Sequence, residues 1–551
     1  MACMIGNKTI ALTLLFFLGS ASLVSAQTNG FTKQDTLRGS IGPERAWWNV
    51  LHYELTIEPD FTTRQLKGKN RIEFNLTGAP VTDRMQIDLQ LPMQIEKVLL
   101  GQQALPFTRE GNVFWIDLRA HQSLLPKSKK IAATLEIHFS GKPRVAVNPP
   151  WDGGWIFRKD KSGNPWMSVA CQGLGASVWY PCKDHQSDEP DRGARMNIIV
   201  PDTLVAVANG RLIGKKLAGP GKEQWSWSVT SPINNYNLIP YIGRYAHWSD
   251  TLMGERKQNL DLDYWVLAED LEKAKPHFQR DVKRMLRAFE HWFGPYPFYE
   301  DGFKLVQSPH LGMEHQSAIA YGNQFKNGYL GRDLSGSGWG LGWDYIIIHE
   351  SGHEWFANNI TTRDIADMWV HEGFTMYSEV LFVDYHYGRA AADAYVKGLR
   401  ASIDNDRPLI APYGVNAEGS GDMYNKGANL IHTLREIIDN DSLFRDILRG
   451  MNRDFALEPT TSSAVEAYWI KRMGMNVQPI FDQYLRTTQI PRLEFRMANG
   501  VTQCRWTNCL PTFLMPARTN SSEPWKWIST EWTTVGADWS RDKVPANLYI
   551  Q

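Results

Sequence analysis

The chain from about residue 48 to residue 246 alternates apolar and polar positions in many short runs. The apolar members of these runs are Tyr53, Leu55 and Ile57, then Ile72, Phe74 and Leu76, then Ile87, Leu89 and Leu91, and then Leu135, Ile137 and Phe139. A period of two puts successive side chains on opposite faces of a strand, so each run predicts a strand with one buried face. This part of the chain is therefore predicted to be a β-rich domain.

Near residue 266 the apolar positions change to a helical period. One face of a predicted helix would carry Leu271, Phe278, Val282, Met285, Leu286 and Phe289. Gly294 and Pro295 would end that helix. Further helical patterns cover residues 345–356, 369–385, 429–438 and 461–472, with residues 304–324 as the best strand candidate among them. A second, mainly helical domain is thus predicted.

Alternation returns after Pro491 with Leu493, Phe495 and Met497, which predicts a small β domain at the end of the chain. The predicted boundaries are 27–246 for the N-terminal β-rich domain, 247–490 for the helical domain and 491–551 for the small β domain. Several domains are expected, because single hydrophobic cores rarely grow beyond about 250–300 residues. The predicted fold class is multidomain α+β.

The first 26 residues have the pattern of an export signal peptide. Lys8 precedes an apolar run at residues 10–18, and Val24, Ser25 and Ala26 suit a cleavage site. We expect the mature chain to begin near Gln27 and to be exported to the periplasm or the extracellular space. The alternative is an uncleaved signal that tethers the protein to a membrane. No later stretch of the sequence has the roughly 18 apolar residues of a membrane-spanning helix.

Composition excludes few functions. Hydrophobic residues make up 43% and charged residues 21% of the chain, as in ordinary globular proteins. Equal numbers of acidic and basic residues, 59 each, give no electrostatic reason to propose nucleic acid or an anionic membrane as a partner.

The cysteines leave two alternatives open. Cys3 would leave with the signal, and the other four form two local pairs, Cys171 with Cys182 and Cys504 with Cys509. An even count in an exported chain suits two disulfides, and four unpaired thiols are the alternative.

The strongest chemical signal is the segment His349-Glu350-Ser351-Gly352-His353, which lies in a predicted helix. Residues four apart share a helix face, so both imidazoles can bind one ion, whereas Glu350 projects about 100° away and can act on a water at that ion. Such a pentapeptide arises by chance in about one chain of this kind in fifty, so its surroundings matter.

Those surroundings contain a candidate third ligand, Glu372, in the helical segment 368–379. A second helix beside the first can bring this carboxylate to the two imidazoles, and zinc suits a set of imidazole and carboxylate ligands with one position left for water. Metal-bound imidazoles usually donate their other ring N–H to a carboxylate or carbonyl. Asp367 and Glu379 are the candidates for that contact, and solvation of either carboxylate at the surface is the alternative.

The spacing of His349, His353 and Glu372, with Trp355-Phe356 after the first pair, resembles the aminopeptidase N family of zinc metallopeptidases, which includes the leukotriene hydrolases. Two further segments agree: residues 312–315, Gly-Met-Glu-His, resemble the family's exopeptidase signature, and residues 423–427, Met-Tyr-Asn-Lys-Gly, resemble its catalytic tyrosine segment. A weaker match consists of residues 171–173, Cys-Gln-Gly, followed by residues 179–182, Trp-Tyr-Pro-Cys. This pattern is similar to the region in which the family has a Gln or Glu that faces the substrate.

The resemblance implies an N-terminal saddle-like β-sheet domain, a thermolysin-like catalytic domain and a small C-terminal β domain. It also implies one Zn²⁺ per chain and peptide substrates with a free N-terminus, from which single residues are released. In that scheme Glu350 is the general base and Tyr424 stabilises the oxyanion. Glu314 anchors the free α-amine, Gln172 adds a carbonyl acceptor, and Gly312 and Met313 complete the substrate-binding set.

Two departures from the family pattern accompany the resemblance. The family's large C-terminal helical domain has no counterpart before Gln551, so a short form is expected, and His315 stands where the signature usually has Asn. Three alternatives remain: a thermolysin-like endopeptidase with the same metal ligands, an epoxide hydrolase as in the leukotriene branch, and a non-catalytic protein that binds zinc for stability.

Overall fold

The computed structural model describes residues 30–520 and 522–551, so the predicted signal at residues 1–26 lies outside the described residues. Residues 30–243 form two short helices and a series of strands, as the alternating pattern predicts. These elements are α1 (Lys33–Gly39), α2 (Pro43–Ala46), β1 (Trp48–Asp60), β2 (Gln65–Leu76), β3 (Arg84–Asp88), β4 (Gln94–Leu100), β5 (Gln103–Ala104), β6 (Phe107–Glu110), β7 (Val113–Asp117), β8 (Ala133–Gly141), β9 (Gly154–Lys159), β10 (Pro165–Ala170), β11 (Ala194–Pro201), β12 (Val205–Val207), β13 (Arg211–Leu217), β14 (Lys222–Val229) and β15 (Tyr241–Gly243).

The N-terminal region is built around an eight-stranded sheet in the order β13-β14-β11-β1-β2-β8-β4-β5. Strand β1 pairs antiparallel with β2 and parallel with β11. Its apolar residues Tyr53, Leu55 and Ile57 are buried, as their period of two predicts. A four-stranded sheet, β12-β15-β10-β9, and a three-stranded sheet, β3-β7-β6, contribute side chains to the same hydrophobic core. The predicted β-rich region is confirmed.

A five-stranded sheet connects this region to the helices. Its strands are β16 (Tyr245–Met253), β17 (Asn259–Leu267), β18 (Phe303–Gln307), β19 (Gly312–Met313) and β20 (Ile319–Tyr321), in the order β16-β17-β18-β20-β19. Strand β19 is the last strand of the sheet: among the described residues it pairs with β20 alone, and its residues Gly312 and Met313 line a cleft. The predicted boundary between residues 246 and 247 falls within β16, and the domain boundaries stay predictions.

The helical region confirms the main periodic patterns. Its helices are α3 (Leu271–Phe293), α4 (Tyr345–Gly352), α5 (Trp369–Tyr387), α6 (Arg389–Leu399), α7 (Asn425–Ile438), α8 (Asp441–Asp454), α9 (Ser462–Met473) and α10 (Gln478–Arg486). The predicted apolar face of α3 is buried at Phe278, Val282, Met285 and Phe289, and Gly294 caps the helix as expected. The patterns described above do not predict α6, α8 and α10.

The helix predicted at residues 345–356 is too long. Helix α4 ends at Gly352, and His353 leads into a π-helical turn at Glu354–Asn358, where Phe356 has φ −127° and ψ 85° and Ala357 has φ 143°. All residues of this segment are buried, so the apolar pattern continues through the break and cannot show where the helix ends. The break has a consequence for the metal ligands, described below.

The last part of the chain forms the predicted small β structure. Its strands are β21 (Arg492–Ala498), β22 (Val501–Thr507), β23 (Met515–Ala517), β24 (Lys526–Ile528) and β25 (Thr533–Thr534), arranged as two sheets, β21-β22-β25 and β23-β24. Trp506, Met515 and Ile528 belong to the same hydrophobic core as the helices. This β structure therefore packs on the helical domain and shares its core.

The structure decides the cysteine alternatives in favour of thiols. Cys171, Cys182, Cys504 and Cys509 are all unpaired, and Cys171 Sγ instead donates to the carbonyl oxygen of Tyr236, 3.5 Å away. The suggested disulfides are therefore absent. Within residues 30–520 and 522–551, no helix is both long enough and apolar enough to cross a membrane.

Candidate metal centre and substrate cleft

A cleft of about 380 Å³ lies where the N-terminal region meets the helical domain. The N-terminal region lines it with residues near Trp151 and with the segment 172–174, and strand β19 supplies one wall. Helices α4 and α5 and the loop before α7 supply the rest. Every catalytic, metal-binding and substrate-binding residue predicted from the sequence lines this one cleft: Gln172, Gly312, Met313, Glu314, His349, Glu350, His353, Glu372 and Tyr424.

Three of these residues form a candidate metal centre. His349 lies on the last turn of α4 and His353 caps that helix, so their four-residue spacing places both rings on one side. Helix α5 packs against α4 and brings Glu372 to the two rings. Glu372 Oε2 lies 3.3 Å from His353 Nε2 and 3.7 Å from His349 Nε2. One ligand atom from each residue lies within 4.8 Å of the other two, which is close enough for a single ion.

The other ring nitrogen of each histidine is held by the protein. His349 Nδ1 lies 2.7 Å from Glu379 Oε1, and the hydroxyl of Tyr395 donates to Glu379 Oε2 over 2.6 Å. His353 Nδ1 donates to the carbonyl oxygen of Phe356 over 2.9 Å, a carbonyl that is available because the helix breaks after His353. With Nδ1 of each ring facing a hydrogen-bond acceptor, Nε2 is the ring nitrogen that faces Glu372.

Of the two outer carboxylates considered from the sequence, only Glu379 makes this contact. Asp367 instead accepts from the hydroxyl of Tyr413, 2.7 Å away, and from the backbone N–H of Ser462, 3.0 Å away. The candidate Asp367 thus makes no such contact, because the turn that carries it faces α9 and not the metal centre.

The donor set fits a zinc ion. Glu372 is buried and its Oε2 has no hydrogen-bond partner among the described residues, although an unpaired buried carboxylate oxygen is costly. Burial by itself would lower the pKa of His349, but the neighbouring carboxylates of Glu372 and Glu379 raise that pKa well above the ordinary range. A catalytic zinc site has three protein ligands, such as two imidazoles and one carboxylate, and keeps its fourth position for water. The three side chains here have those donor types and line an open cleft.

Glu350 lies beside this set but does not belong to it. Its carboxylate lies so close to β19 that a Cβ on Gly312 would be 2.6 Å from Glu350 Oε1, so a larger residue at position 312 would displace the Glu350 carboxylate from its present place. Burial raises the pKa of Glu350 to about 7, against the opposing effect of His349 and His353. A carboxylate with a pKa near neutrality can both accept and return a proton, which suits a general base that later acts as an acid.

Glu314 directly follows β19 and lines the same cleft. Its Oε1 accepts hydrogen bonds from Gln172 Nε2 over 2.6 Å and from the hydroxyl of Tyr236 over 2.8 Å. The carboxylate is buried, and one of its oxygens lies within 4.8 Å of ligand atoms of both His353 and Glu350. Gln172 thus holds Glu314 in place through its amide N–H, a contact that differs from the acceptor role predicted for it.

Tyr236 is a site residue that sequence reasoning missed. It belongs to the N-terminal region, 78 residues before Glu314, and no local motif marks it. Burial, followed by the negative charge of Glu314, raises the pKa of Tyr236 well above its usual value, so the phenol keeps its proton and donates. The only available signal was its position in a β-rich segment, which does not distinguish it from a core tyrosine.

Tyr424 reaches the cleft through a close contact between two helices. It caps the N-terminus of α7, where a Cβ on Gly427 would lie 2.9 Å from the Cα of Gly373 in α5. This glycine contact brings α7 against the helix that carries Glu372. The Tyr424 ring stacks on His349 with a centroid distance of 5.9 Å, and burial, Glu372 and Glu314 raise its pKa well above 10.

His315, the residue that departs from the expected signature, does not line the cleft. Its side chain is fully buried behind the wall, where Nδ1 lies 2.5 Å from the hydroxyl of Tyr241. The substitution therefore changes the support behind Glu314 and adds no side chain to the substrate surface.

Two segments match known domain families: residues 49–236 match the Peptidase M1 N-terminal domain, and residues 280–484 match the Peptidase family M1 domain. Endoplasmic reticulum aminopeptidase 1 of Mus musculus is 21% identical over 76% of this chain and 46% of its own length. Aminopeptidase B of Mus musculus is 24% identical over 61% of this chain and 52% of its own length. The chain therefore spans about half the length of these relatives.

The fold is similar to that of solved structures. A mutant M1 zinc metallopeptidase from Deinococcus radiodurans, bound to a Tyr-Ser-Ala substrate, superposes with a TM-score of 0.65 at 19% identity. The similarity covers 80% of this chain and 95% of the other. The arrangement of an N-terminal β region and a helical region is thus shared.

Proposed function

The chain belongs to the M1 family of peptidases, and we propose that it is a zinc aminopeptidase that releases single residues from the free amino end of peptides. One observation carries the proposal. The carboxylate of Glu314 lies in the same cleft as the donor set of His349, His353 and Glu372, within 4.8 Å of His353. A negative charge at this distance from the metal centre leaves room for only about one residue before the scissile bond.

The metal centre would hold one zinc ion per chain on His349, His353 and Glu372. Bound there, zinc would lower the pKa of a water molecule toward about 7 and polarise the scissile carbonyl. The protein contributes the orientation of the ligands, because Glu379 and the carbonyl of Phe356 fix the two rings.

Glu350 would take the proton from the attacking water and later deliver it to the leaving amine. Its position in the cleft, next to the donor set and with a pKa raised to about 7, supports both steps. Peptide bond cleavage then balances: water supplies the hydroxyl to the new carboxyl group and the proton to the new amine.

Glu314 would pair with the α-ammonium of the substrate. Oε1 is already bonded to Gln172 and Tyr236, and Oε2 has no hydrogen bond with another described residue and lines the cleft. A charge-assisted hydrogen bond to that oxygen is stronger than a neutral one, and an internal peptide segment cannot form it. Gly312 and Met313 would line the path of the first residue beside it.

Blocking the α-amine tests this assignment. We expect the zinc-loaded protein to hydrolyse leucine anilide and to leave N-acetyl-leucine anilide intact, because acetylation removes the positive charge that Glu314 binds. Glu314→Gln is expected to lower kcat/KM for the free substrate by about 10- to 100-fold, the usual worth of a hydrogen bond to a charged group. Steady-state kinetics on both substrates measures the effect.

The comparison variant for this test is Tyr236→Phe, which removes one hydrogen bond to Glu314 and leaves its charge, so its loss should be smaller. Equal rates on free and acetylated substrates would establish the thermolysin-like endopeptidase instead. Zinc binding without hydrolysis of any peptide would establish a non-catalytic zinc protein, although structural zinc sites are usually closed by four protein ligands.

Tyr424 would donate a hydrogen bond to the oxyanion of the tetrahedral intermediate. We expect Tyr424→Phe to lower kcat by about 10²- to 10³-fold with little change in KM, because the bond strengthens only as the oxyanion forms. Zinc content should stay unchanged. The matched control is Tyr329→Phe, which removes a hydroxyl from the same cleft and should alter kcat only a few-fold. A similar loss in both variants would contradict the specific role of Tyr424.

Export of the protein is part of the same proposal. It is supported by the composition of residues 1–26, with Lys8, the apolar run at residues 10–18 and the small residues at 24–26. The proposed location is the periplasm or the extracellular space, where peptides with free amino ends would be the substrates.

A further inference from the structure

The cleft contains a fourth carboxylate that the mechanism above does not use. Glu418 lies in the loop between α6 and α7 and lines the same cleft as Glu314, Glu350 and Glu372. Its side chain forms no hydrogen bond or ion pair with any other residue in the described part of the chain. The positive charge of Arg407 favours the ionised form of Glu418, but Arg407 forms no ion pair with it. The Arg407 side chain is exposed and donates to the carbonyl oxygen of Gly419, 2.9 Å away.

The charge of the cleft is not balanced. Among the described residues that line it there are four glutamates, and neither lysine nor arginine. A bound divalent zinc ion and the α-ammonium of a substrate together supply three positive charges, so one carboxylate remains without a counter-charge. Glu314, Glu350 and Glu372 each have an assigned partner or role, and Glu418 is the one left.

The position of Glu418 indicates which part of a substrate it faces. A Cβ on Gly173 would lie 3.1 Å from Glu418 Oε1, so this carboxylate lies against the residue that directly follows Gln172. Gln172 is hydrogen-bonded to the amine anchor Glu314. Glu418 is therefore at the amino end of the cleft, beside the first substrate residue, and does not lie on the side of the leaving group.

Glu418 is also separate from the anchor itself. The hydrogen bonds that hold Glu314 come from Gln172 and Tyr236, and Glu418 takes no part in them. The Glu418 side chain reaches solvent at the cleft. Desolvation of its carboxylate by the surrounding cleft walls, followed by the negative charge of Glu372, raises its pKa. A nearby positive charge would stabilise the ionised form.

From this placement we propose that Glu418 forms a subsite for a cationic side chain, so that the enzyme prefers peptides whose first residue is arginine or lysine. The inference rests on the proposed aminopeptidase function and names its substrate class. A guanidinium or ammonium group at the end of a long side chain would pair with Glu418 while the α-ammonium of the same residue pairs with Glu314. A substrate whose first side chain is neutral would leave the negative charge of Glu418 unpaired, so the enzyme would favour substrates with a cationic first residue.

Arginine and citrulline anilides provide the test, because the two side chains have nearly the same shape and differ in charge. The wild-type, zinc-loaded protein should show kcat/KM about tenfold or more higher for arginine than for citrulline. Glu418→Gln should bring this ratio close to one by lowering the arginine value and leaving the citrulline value unchanged. The control Glu458→Gln removes an exposed negative charge outside the cleft and should preserve the wild-type ratio.

A binding measurement keeps this inference distinguishable from the proposed activity. Calorimetric titration of the zinc-loaded protein with arginine amide and citrulline amide should show the same preference and the same loss in Glu418→Gln, whether or not either anilide is hydrolysed. Hydrolysis without any preference for arginine over citrulline would overturn the subsite and leave the aminopeptidase function intact. An equal fall for both substrates in Glu418→Gln would also overturn it, since Glu418 would then be a second amine anchor.

Discussion

Glu350→Gln is expected to lower kcat by about 10²- to 10⁴-fold, the range that general acid–base catalysis contributes. Glutamine keeps the size of the side chain and its place beside Gly312, but it cannot accept the proton of the attacking water. KM should change little, because Glu350 is assigned no ground-state contact with the substrate. Steady-state kinetics on leucine anilide, together with the zinc content of the variant, measures the effect.

Glu354→Gln is the matched control for this substitution. Glu354 lies one turn further on, is buried, and has a pKa that burial raises to about 7, just as Glu350 has. Its carboxylate accepts from the hydroxyl of Tyr296 and the backbone N–H of Ser317 and does not line the cleft. Its loss should affect thermal stability more than kcat. If Glu350→Gln retained wild-type turnover with zinc bound, the assignment of the base would be wrong.

Removal of the metal is expected to abolish activity without unfolding the protein. Helices α4 and α5 are buried and packed within the large hydrophobic core, so their positions do not depend on an ion. Dialysis against a chelator should therefore leave the circular dichroism spectrum unchanged while hydrolysis stops, and added zinc should restore the rate. Unfolding on metal loss would point to a structural zinc site.

Glu372→Gln should weaken zinc binding more than Glu379→Gln does. The first change replaces a direct ligand, whereas the second removes the partner of His349 Nδ1, a type of change that costs about 10- to 100-fold in metal affinity. Competition with a chromogenic chelator gives both affinities, and kcat at saturating zinc separates metal loss from a catalytic defect. Equal zinc affinities for Glu372→Gln and the wild type would contradict the ligand assignment.

Several features of the site could be predicted because they depend on local geometry. The four-residue spacing of His349 and His353 fixes their common side once the segment is helical, whatever surrounds it. Glu372 was a candidate ligand from its place in a predicted second helix, and Tyr424 came from the resemblance of residues 423–427 to the aminopeptidase N family; the structure brings both to the cleft. The β-rich and helical regions were predictable for the same reason, since a period of two or 3.6 is a property of neighbouring residues.

The contacts between distant parts of the chain could not be predicted in this way. Glu379 and Asp367 were equivalent candidates from the sequence, and only the packing of α5 on α4 shows that Glu379 meets His349. Tyr236 meets Glu314 because the N-terminal region closes one wall of the cleft, and periodicity carries no information about which residues face each other across such a boundary.

The sequence by itself predicted the class of chemistry: its spacing indicates a helix with two imidazoles and a base, and a third ligand beside them, and its resemblance to the aminopeptidase N family adds an acidic residue for the substrate amine. The tertiary structure alone decided how these groups are held and what else faces the substrate. The break after His353 frees the carbonyl of Phe356 for its ring, and the loop before α7 brings Glu418 against Gly173. The physical reason is that helix period and ligand spacing are set by adjacent residues, whereas the walls of the cleft are set by the packing of separate cores.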